Sequence, residues 1–238
     1  MKCINKRLRL LCLTGIAAVF MSGCGQTTVS YDNPYDVYAT TADLGLSGTG
    51  ECVEQTYFSE NLCVIDDTNI GTDGTHSNVA EGAGVFNLAT GTVNYAQNIY
   101  EKLYPASTTK ILTAYLALKY GNLDDLVTVS EYAAKQASDS SVCGLKAGDV
   151  VSLRDLLYGM MLKSGNDAAI AIAEHLSGNV EAFADLMNQE ANAMGATRSH
   201  FVNPNGLPDE DHYTSVYDLY LIFQNAVKDD RFVDIIST

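Results

Sequence analysis

The chain has 238 residues, enough for one large domain or two small ones, with an ordinary globular hydrophobic content of 47%. Its net charge is −15, and the first 23 residues hold Lys2, Lys6, Arg7 and Arg9 with no acid, so setting them aside leaves −19. A body this acidic is a poor partner, through charge, for nucleic acid or an anionic membrane surface.

The N-terminus has the layout of an export signal. A basic stretch through Arg9 precedes an apolar run, Leu10 to Met21, too short to span a bilayer comfortably. The run ends in Met21-Ser22-Gly23-Cys24. This resembles a bacterial lipoprotein cleavage box, with Met21 where leucine is usual, which implies removal of residues 1–23 and lipidation of Cys24. The protein is therefore expected outside the cytoplasm, held to the membrane by a lipid anchor or, failing that, secreted. Residues 24–55, rich in Thr, Ser, Tyr, Asp and Gly without a helical or alternating period, read as a flexible tether. Residues 56–238 are left for the folded domain.

In chain order, the short apolar run 61–65 reads as a strand, and a Gly, Asp, Thr and Asn-rich loop follows to about residue 81. Residues 83–87 and 92–96 flank a glycine-containing turn, the pattern of a hairpin. From Ser107 the period becomes helical to Tyr120, where Gly121 stops it. A short helix is expected from Ser130 to Gln136. Ser152 and Asp155 have capping-box spacing before an apolar face running to Lys163. Further helices are expected at 167–176, 180–194 and 219–228, and 230–236 continues helically. Residues 201–207 read as a turn-rich crossing segment. Two or three strands leave a sheet edge open, so this α+β domain is expected to lack part of its sheet.

The three cysteines beyond the lipidation box are Cys52, Cys63 and Cys143. Cys52 and Cys63 could pair, or all three could remain thiols. His76, His175, His200 and His212 show no zinc-ligand spacing, so no metal or other cofactor is expected.

The chemistry centres on Tyr104-Pro105-Ala106-Ser107-Thr108-Thr109-Lys110, which leads into the apolar helix. Residues i and i+3 share a helix face, so the Ser107 hydroxyl and the Lys110 amine can meet. Burial and the helix dipole both lower the pKa of an amine at a helix start, which equips it as a base toward the hydroxyl. A lone Ser-x-x-Lys arises readily by chance in a chain of this length, and its bland reading is a helix-start serine beside a solvated lysine. A second polar pair, Ser164 and Asn166, stands at a break between two helices. The same triplet at Ser177-Gly178-Asn179 reads as an ordinary helix cap.

The ordered series is more specific than either motif. It comprises the Tyr104–Lys110 segment, then Leu156-Leu157-Tyr158-Gly159-Met160-Met161-Leu162-Lys163-Ser164-Gly165-Asn166-Asp167, then His200-Phe201-Val202-Asn203-Pro204-Asn205-Gly206-Leu207. From about Ala83 to the C-terminus the chain resembles the low-molecular-mass penicillin-binding proteins, the serine D-alanyl-D-alanine carboxypeptidases. The resemblance implies a serine β-lactamase/transpeptidase-like fold, an α lobe on an antiparallel sheet with the site between them. It implies Ser107 as nucleophile, Lys110 as its base, Ser164 as a proton relay and Asn166 as a substrate-binding residue. Peptidoglycan stem peptides are the implied substrates, and β-lactams the implied acylating inhibitors.

The family's third motif, Lys-Thr-Gly on a strand, has no counterpart here. Lys163-Ser164-Gly165 lies in the helical block and is rejected for that role. The expectation is a C-terminally truncated domain that lacks the corresponding strands, a fragment of a longer active enzyme. A class A β-lactamase would need a glutamate with an asparagine four residues on, and no glutamate here has one. The non-enzymatic alternative is a lipid-anchored penicillin-binding or sensor module that keeps the fold without turnover.

Overall fold

The computed structural model describes residues 61–71, 79–137 and 139–238. All of them belong to one unit, Thr56–Thr238. The export signal, Cys24, Cys52 and the tether lie outside the described residues.

Two small antiparallel sheets and seven α-helices make up the described fold. Strands β1 (Ala83–Asn87) and β2 (Thr92–Gln97) form the expected hairpin. A bulge after Val85 shifts the register, so that Val85 faces Tyr95 but Phe86 faces Val93. The Asn87 side chain stabilises the turn by accepting from the Ala89 and Thr90 N–H groups. The second sheet, β3 (Leu126–Thr128) with β4 (Val150–Ser152), did not show in the sequence pattern because each strand is only three residues long.

Helix α1 (Lys110–Tyr120) is the centre of the domain. It packs against α3 (Leu153–Lys163), α4 (Asn166–Ser177), α5 (Val180–Ala193), α6 (Val216–Ala226) and α7 (Asp230–Ile236). Ala114, Leu116 and Ala117 are fully enclosed, which explains a helix apolar on nearly every side. The small residues Ala168, Ala169, Ala171 and Ala173 let α4 approach closely, and they too are buried. The helix α1 ends at Gly121, whose backbone is extended (φ −95°, ψ 160°) and where a Cβ would run into the Leu153 side chain. A one-turn helix α2 (Glu131–Ala134), capped by the Ser130 side chain, is shorter than the expected 130–136.

Residues 61–65 are not a strand. Side chains from elsewhere satisfy their backbone groups instead of a ladder. Tyr220 accepts from the Cys63 N–H, and Tyr217 and Tyr100 donate to the carbonyls of Cys63 and Ile65. Gln224 donates to the Asn61 carbonyl in the same way. Cys63 is a buried thiol within the core.

Candidate active site

The Pro105–Lys110 segment begins as a 3₁₀ turn, Ala106–Thr109, and passes into α1 at Lys110. Ser107 therefore stands in the turn, not in the α-helix. The tighter 3₁₀ winding stacks i over i+3 directly and brings Ser107 Oγ to 3.1 Å from Lys110 Nζ. Ala106, just before the serine, is left-handed with φ +48°. Ser107 is exposed, while Lys110 is buried with 2% of its surface accessible.

Ser164 and Asn166 reach the same point from the break between α3 and α4. Ser164 is left-handed (φ 55°, ψ 33°), and its N–H and that of Gly165 both turn back to the Gly159 carbonyl. This tight reversal swings Ser164 Oγ to 3.0 Å from Ser107 Oγ and 3.3 Å from Lys110 Nζ. Asn166, the first residue of α4, presents Oδ1 to Lys110 Nζ at 2.8 Å. Lys163 ends α3 on the exposed side, in a helical setting unlike the strand the third family motif requires.

Lys110 has a fourth partner that no side-chain pattern announced. The Asn205 backbone carbonyl accepts from Nζ at 2.9 Å. Asn203 shapes that turn by accepting from the N–H groups of Asn205 and Gly206, and Gly206 (φ +82°) passes so close to Ala106 that a Cβ would lie 1.7 Å from its carbonyl oxygen. The Pro204 carbonyl accepts from Thr113 Oγ1 one turn further along α1.

The partners of Lys110 differ in kind. Asn166 Oδ1 and the Asn205 carbonyl can only accept, and both are closer than either hydroxyl. A neutral amine has two N–H bonds and one lone pair. The two acceptors take the N–H bonds, which leaves the lone pair directed at the hydroxyls. Burial depresses the Lys110 pKa from 10.5 to about 8, so an appreciable fraction is neutral near physiological pH.

Asp167 ties the site to the loop before β4. Its buried carboxylate accepts from the N–H groups of Cys143, Gly144 and Leu145, and Asn166 N–H donates to the Ser141 carbonyl. Cys143 Sγ fills the space left by Gly159 and Gly165, where added Cβ atoms would lie 2.7 and 2.4 Å from it. A cavity of about 400 Å³ opens beside the turn, lined by Tyr104, Ala106, Leu207, Pro208 and His212 among others. The Ser107, Lys110, Ser164 and Asn166 cluster does not line it.

Residues 72–236 match the D-alanyl-D-alanine carboxypeptidase family over more than half of the chain. The chain belongs to this family. It is 38% identical over 154 residues to the D-alanyl-D-alanine carboxypeptidase DacF of Bacillus subtilis, covering 63% of this chain and 39% of that protein. It is also 38% identical over 146 residues to DacA of Haemophilus influenzae, covering 59% and 37% of the two chains. The crystal structure of the carboxypeptidase DacD from Francisella tularensis aligns with a TM-score of 0.63 at 37% identity, over 72% of this chain and 41% of that one. A mutant of the Streptomyces K15 DD-transpeptidase aligns with a TM-score of 0.65 at 32% identity, over 69% of this chain and 67% of that one. The fold is thus that of the DD-peptidase and transpeptidase penicillin-binding proteins. The chain spans about two fifths of the length of curated carboxypeptidases that it matches.

Proposed function

We propose that this chain forms the serine-lysine half of a D-alanyl-D-alanine carboxypeptidase that trims peptidoglycan stem peptides through an acyl-enzyme. The observation that carries this reading is the setting of Lys110, whose Nζ meets two oxygens that can only accept, from Asn166 and Asn205, which leaves its lone pair for the nearby Ser107 and Ser164 hydroxyls. Ser107 Oγ attacks the carbonyl carbon of the penultimate D-alanine, and its proton passes to Lys110 Nζ. Ser164, bridging Ser107 and Lys110, takes that proton from the Lys110 ammonium and gives its own to the departing D-alanine amine as the C–N bond breaks. The Ser107 backbone N–H supplies one donor to the developing oxyanion. Water then attacks the resulting ester and frees Ser107.

A β-lactam carries a strained amide in place of the peptide bond and acylates the same hydroxyl. The test is covalent capture of a fluorescent penicillin by the full-length protein, followed by peptide mass spectrometry. Attachment at Ser107, absent in Ser107→Ala, together with release of D-alanine from a synthetic stem peptide, supports the proposal. No attachment, or equal attachment to Ser107→Ala, overturns it. Attachment to Ser107 without D-alanine release points instead to a binding or sensor module.

The basic flank, the short apolar run and Cys24 support placement outside the cytoplasm, with residues 24–55 as tether between a lipid anchor and the domain. Labelled palmitate that enters the protein but not Cys24→Ala tests the anchor. Equal incorporation into both overturns it.

A further inference from the structure

We propose that His212 is a positioning residue of the acylation site, fastening the serine-lysine turn to the crossing segment that holds the lysine's carbonyl partner. This inference rests on the carboxypeptidase reading and identifies a residue that touches neither substrate nor the reacting atoms.

The imidazole is 2% exposed and spans two segments far apart in sequence. Nδ1 lies 3.1 Å from the Val202 backbone nitrogen, which can only donate. Nδ1 must therefore be the unprotonated nitrogen. Nε2 then carries the hydrogen and donates it to Thr109 Oγ1 at 2.9 Å. One tautomer satisfies both contacts.

The two anchor points frame the site. Thr109 is fully buried and lies between Ser107 and Lys110, so its hydroxyl is a handle on the 3₁₀ turn. Val202 opens the segment whose next residues give the Pro204 carbonyl to Thr113 and the Asn205 carbonyl to Lys110. Without the imidazole, the turn and the segment would still meet through those carbonyls and the close approach of Gly206 to Ala106, but the Thr109 hydroxyl would lose its hydrogen-bonded tie to Val202. The Lys110 amine would gain freedom just where its lone pair must face Ser107.

Protonation of His212 would place an N–H against the Val202 N–H. Burial opposes this by holding the imidazole pKa near 4, with Asp209 favouring the cation and His200 disfavouring it; Glu210 lines the same cavity. The Phe201 ring edge packs against the imidazole with centroids 5.5 Å apart. The neutral tautomer therefore persists across the pH range in which Lys110 titrates.

Two amide variants separate the contacts. In His212→Asn the side-chain oxygen stands where Nδ1 does and keeps the Val202 bond, but the amide falls short of Thr109. In His212→Gln the amide nitrogen reaches as far as Nε2 and keeps the Thr109 bond. The rate of fluorescent-penicillin acylation of the full-length protein is followed against pH for both.

His212→Gln cuts the fastening at Val202 and His212→Asn cuts it at Thr109, so both are expected to acylate about tenfold or more slowly than the unsubstituted protein. The His212→Asn pH midpoint should also move upward, because a loosened cover readmits water to the Lys110 ammonium. Acylation of both variants that merely tracks their folded fraction, with the midpoint unchanged, overturns the proposal. ¹⁵N-histidine NMR provides a readout that does not need turnover. An Nδ1–H tautomer, or an imidazolium at pH 6, overturns the proposal even if the protein captures no penicillin. Absence of penicillin capture with the Nε2–H tautomer intact counts against the carboxypeptidase reading, while the fastening itself is upheld.

Discussion

The protonation of Lys110 offers the sharpest quantitative test of the site. Burial brings its pKa from 10.5 to about 8. At pH 7 about a tenth of such an amine is free, against about 0.03% of an ordinary lysine, a gain of roughly 300-fold in reactive base. The rate of β-lactam acylation should therefore rise with pH and level off above about 8. ¹³Cε NMR of the lysines gives the same pKa directly, with the Lys110 signal assigned by its loss in Lys110→Met.

The same burial has a stability consequence of opposite character. Between pH 8 and 10.5 the unfolded chain holds a proton on this lysine that the folded chain has released, so stability rises with pH across that window. Relative to Lys110→Met, the unsubstituted protein should gain about 3 kcal/mol on going from pH 8 to 10.5, with the penalty fully present below pH 8. Urea unfolding of the two proteins at several pH values measures the difference. A Lys110 that titrates above pH 10, or a stability difference flat across the window, would falsify the buried-base argument.

Other outcomes follow from close contacts near the site. Gly206→Ala combines a left-handed φ with a Cβ 1.7 Å from the Ala106 carbonyl oxygen, so it should cost about 3 kcal/mol or more in a denaturant melt and slow acylation as the turn shifts. A Gly206→Ala protein as stable as its parent would refute the close approach of the two segments. Gly159→Ala pushes on Cys143 Sγ, 2.7 Å from the new methyl, and should destabilise by about 1–3 kcal/mol. Cys143→Ala should recover part of that loss, which a double-mutant cycle measures as a coupling of about 1 kcal/mol; strict additivity would show that the thiol is not the obstacle.

The parts of this site that could be seen in the sequence were those borne by side chains. Ser107 and Lys110 were three apart at the start of an apolar run, and Ser164 and Asn166 followed at a break between helices; all four converge. The Asn205 contribution is a backbone carbonyl, which any residue type provides, so composition could not mark it. The bond between Thr109 and His212 spans 103 residues and joins two types common in ordinary cores. The five longer helices were legible because a 3.6-residue apolar period persists over about three turns in each. Strands β3 and β4 were not, because three residues hold barely one alternation. Residues 61–65 misled for the converse reason. Their apolar run satisfied the pattern of a strand, but tyrosine hydroxyls from α6 and the β2–α1 connection supplied the polar partners a ladder would have given.

Three of the positive backbone angles among the described residues lie around the lysine amine. Ala106, Ser164 and Gly206 are all left-handed, and each lies within two residues of a group that touches Ser107 or Lys110 or is itself such a group. Strain of this kind persists where the surrounding structure over-determines it, and Ser164 shows what it is for. The left-handed turn lets α3 reverse into α4 within two residues, which brings a hydroxyl and an amide to one amine. Glycine would adopt that turn at lower cost. Ser164→Gly should accordingly be more stable than Ser164→Ala by about 0.5–1 kcal/mol, since both lose the hydroxyl and only the first relieves the backbone. Both should lose acylation or turnover by about 100-fold, because the bridge between Ser107 and Lys110 is gone. Parallel denaturant melts and penicillin-capture rates on the two variants separate the terms. If Ser164→Gly unfolds at lower denaturant than Ser164→Ala, the left-handed turn is not strained, and the serine there owes nothing to a balance between stability and chemistry.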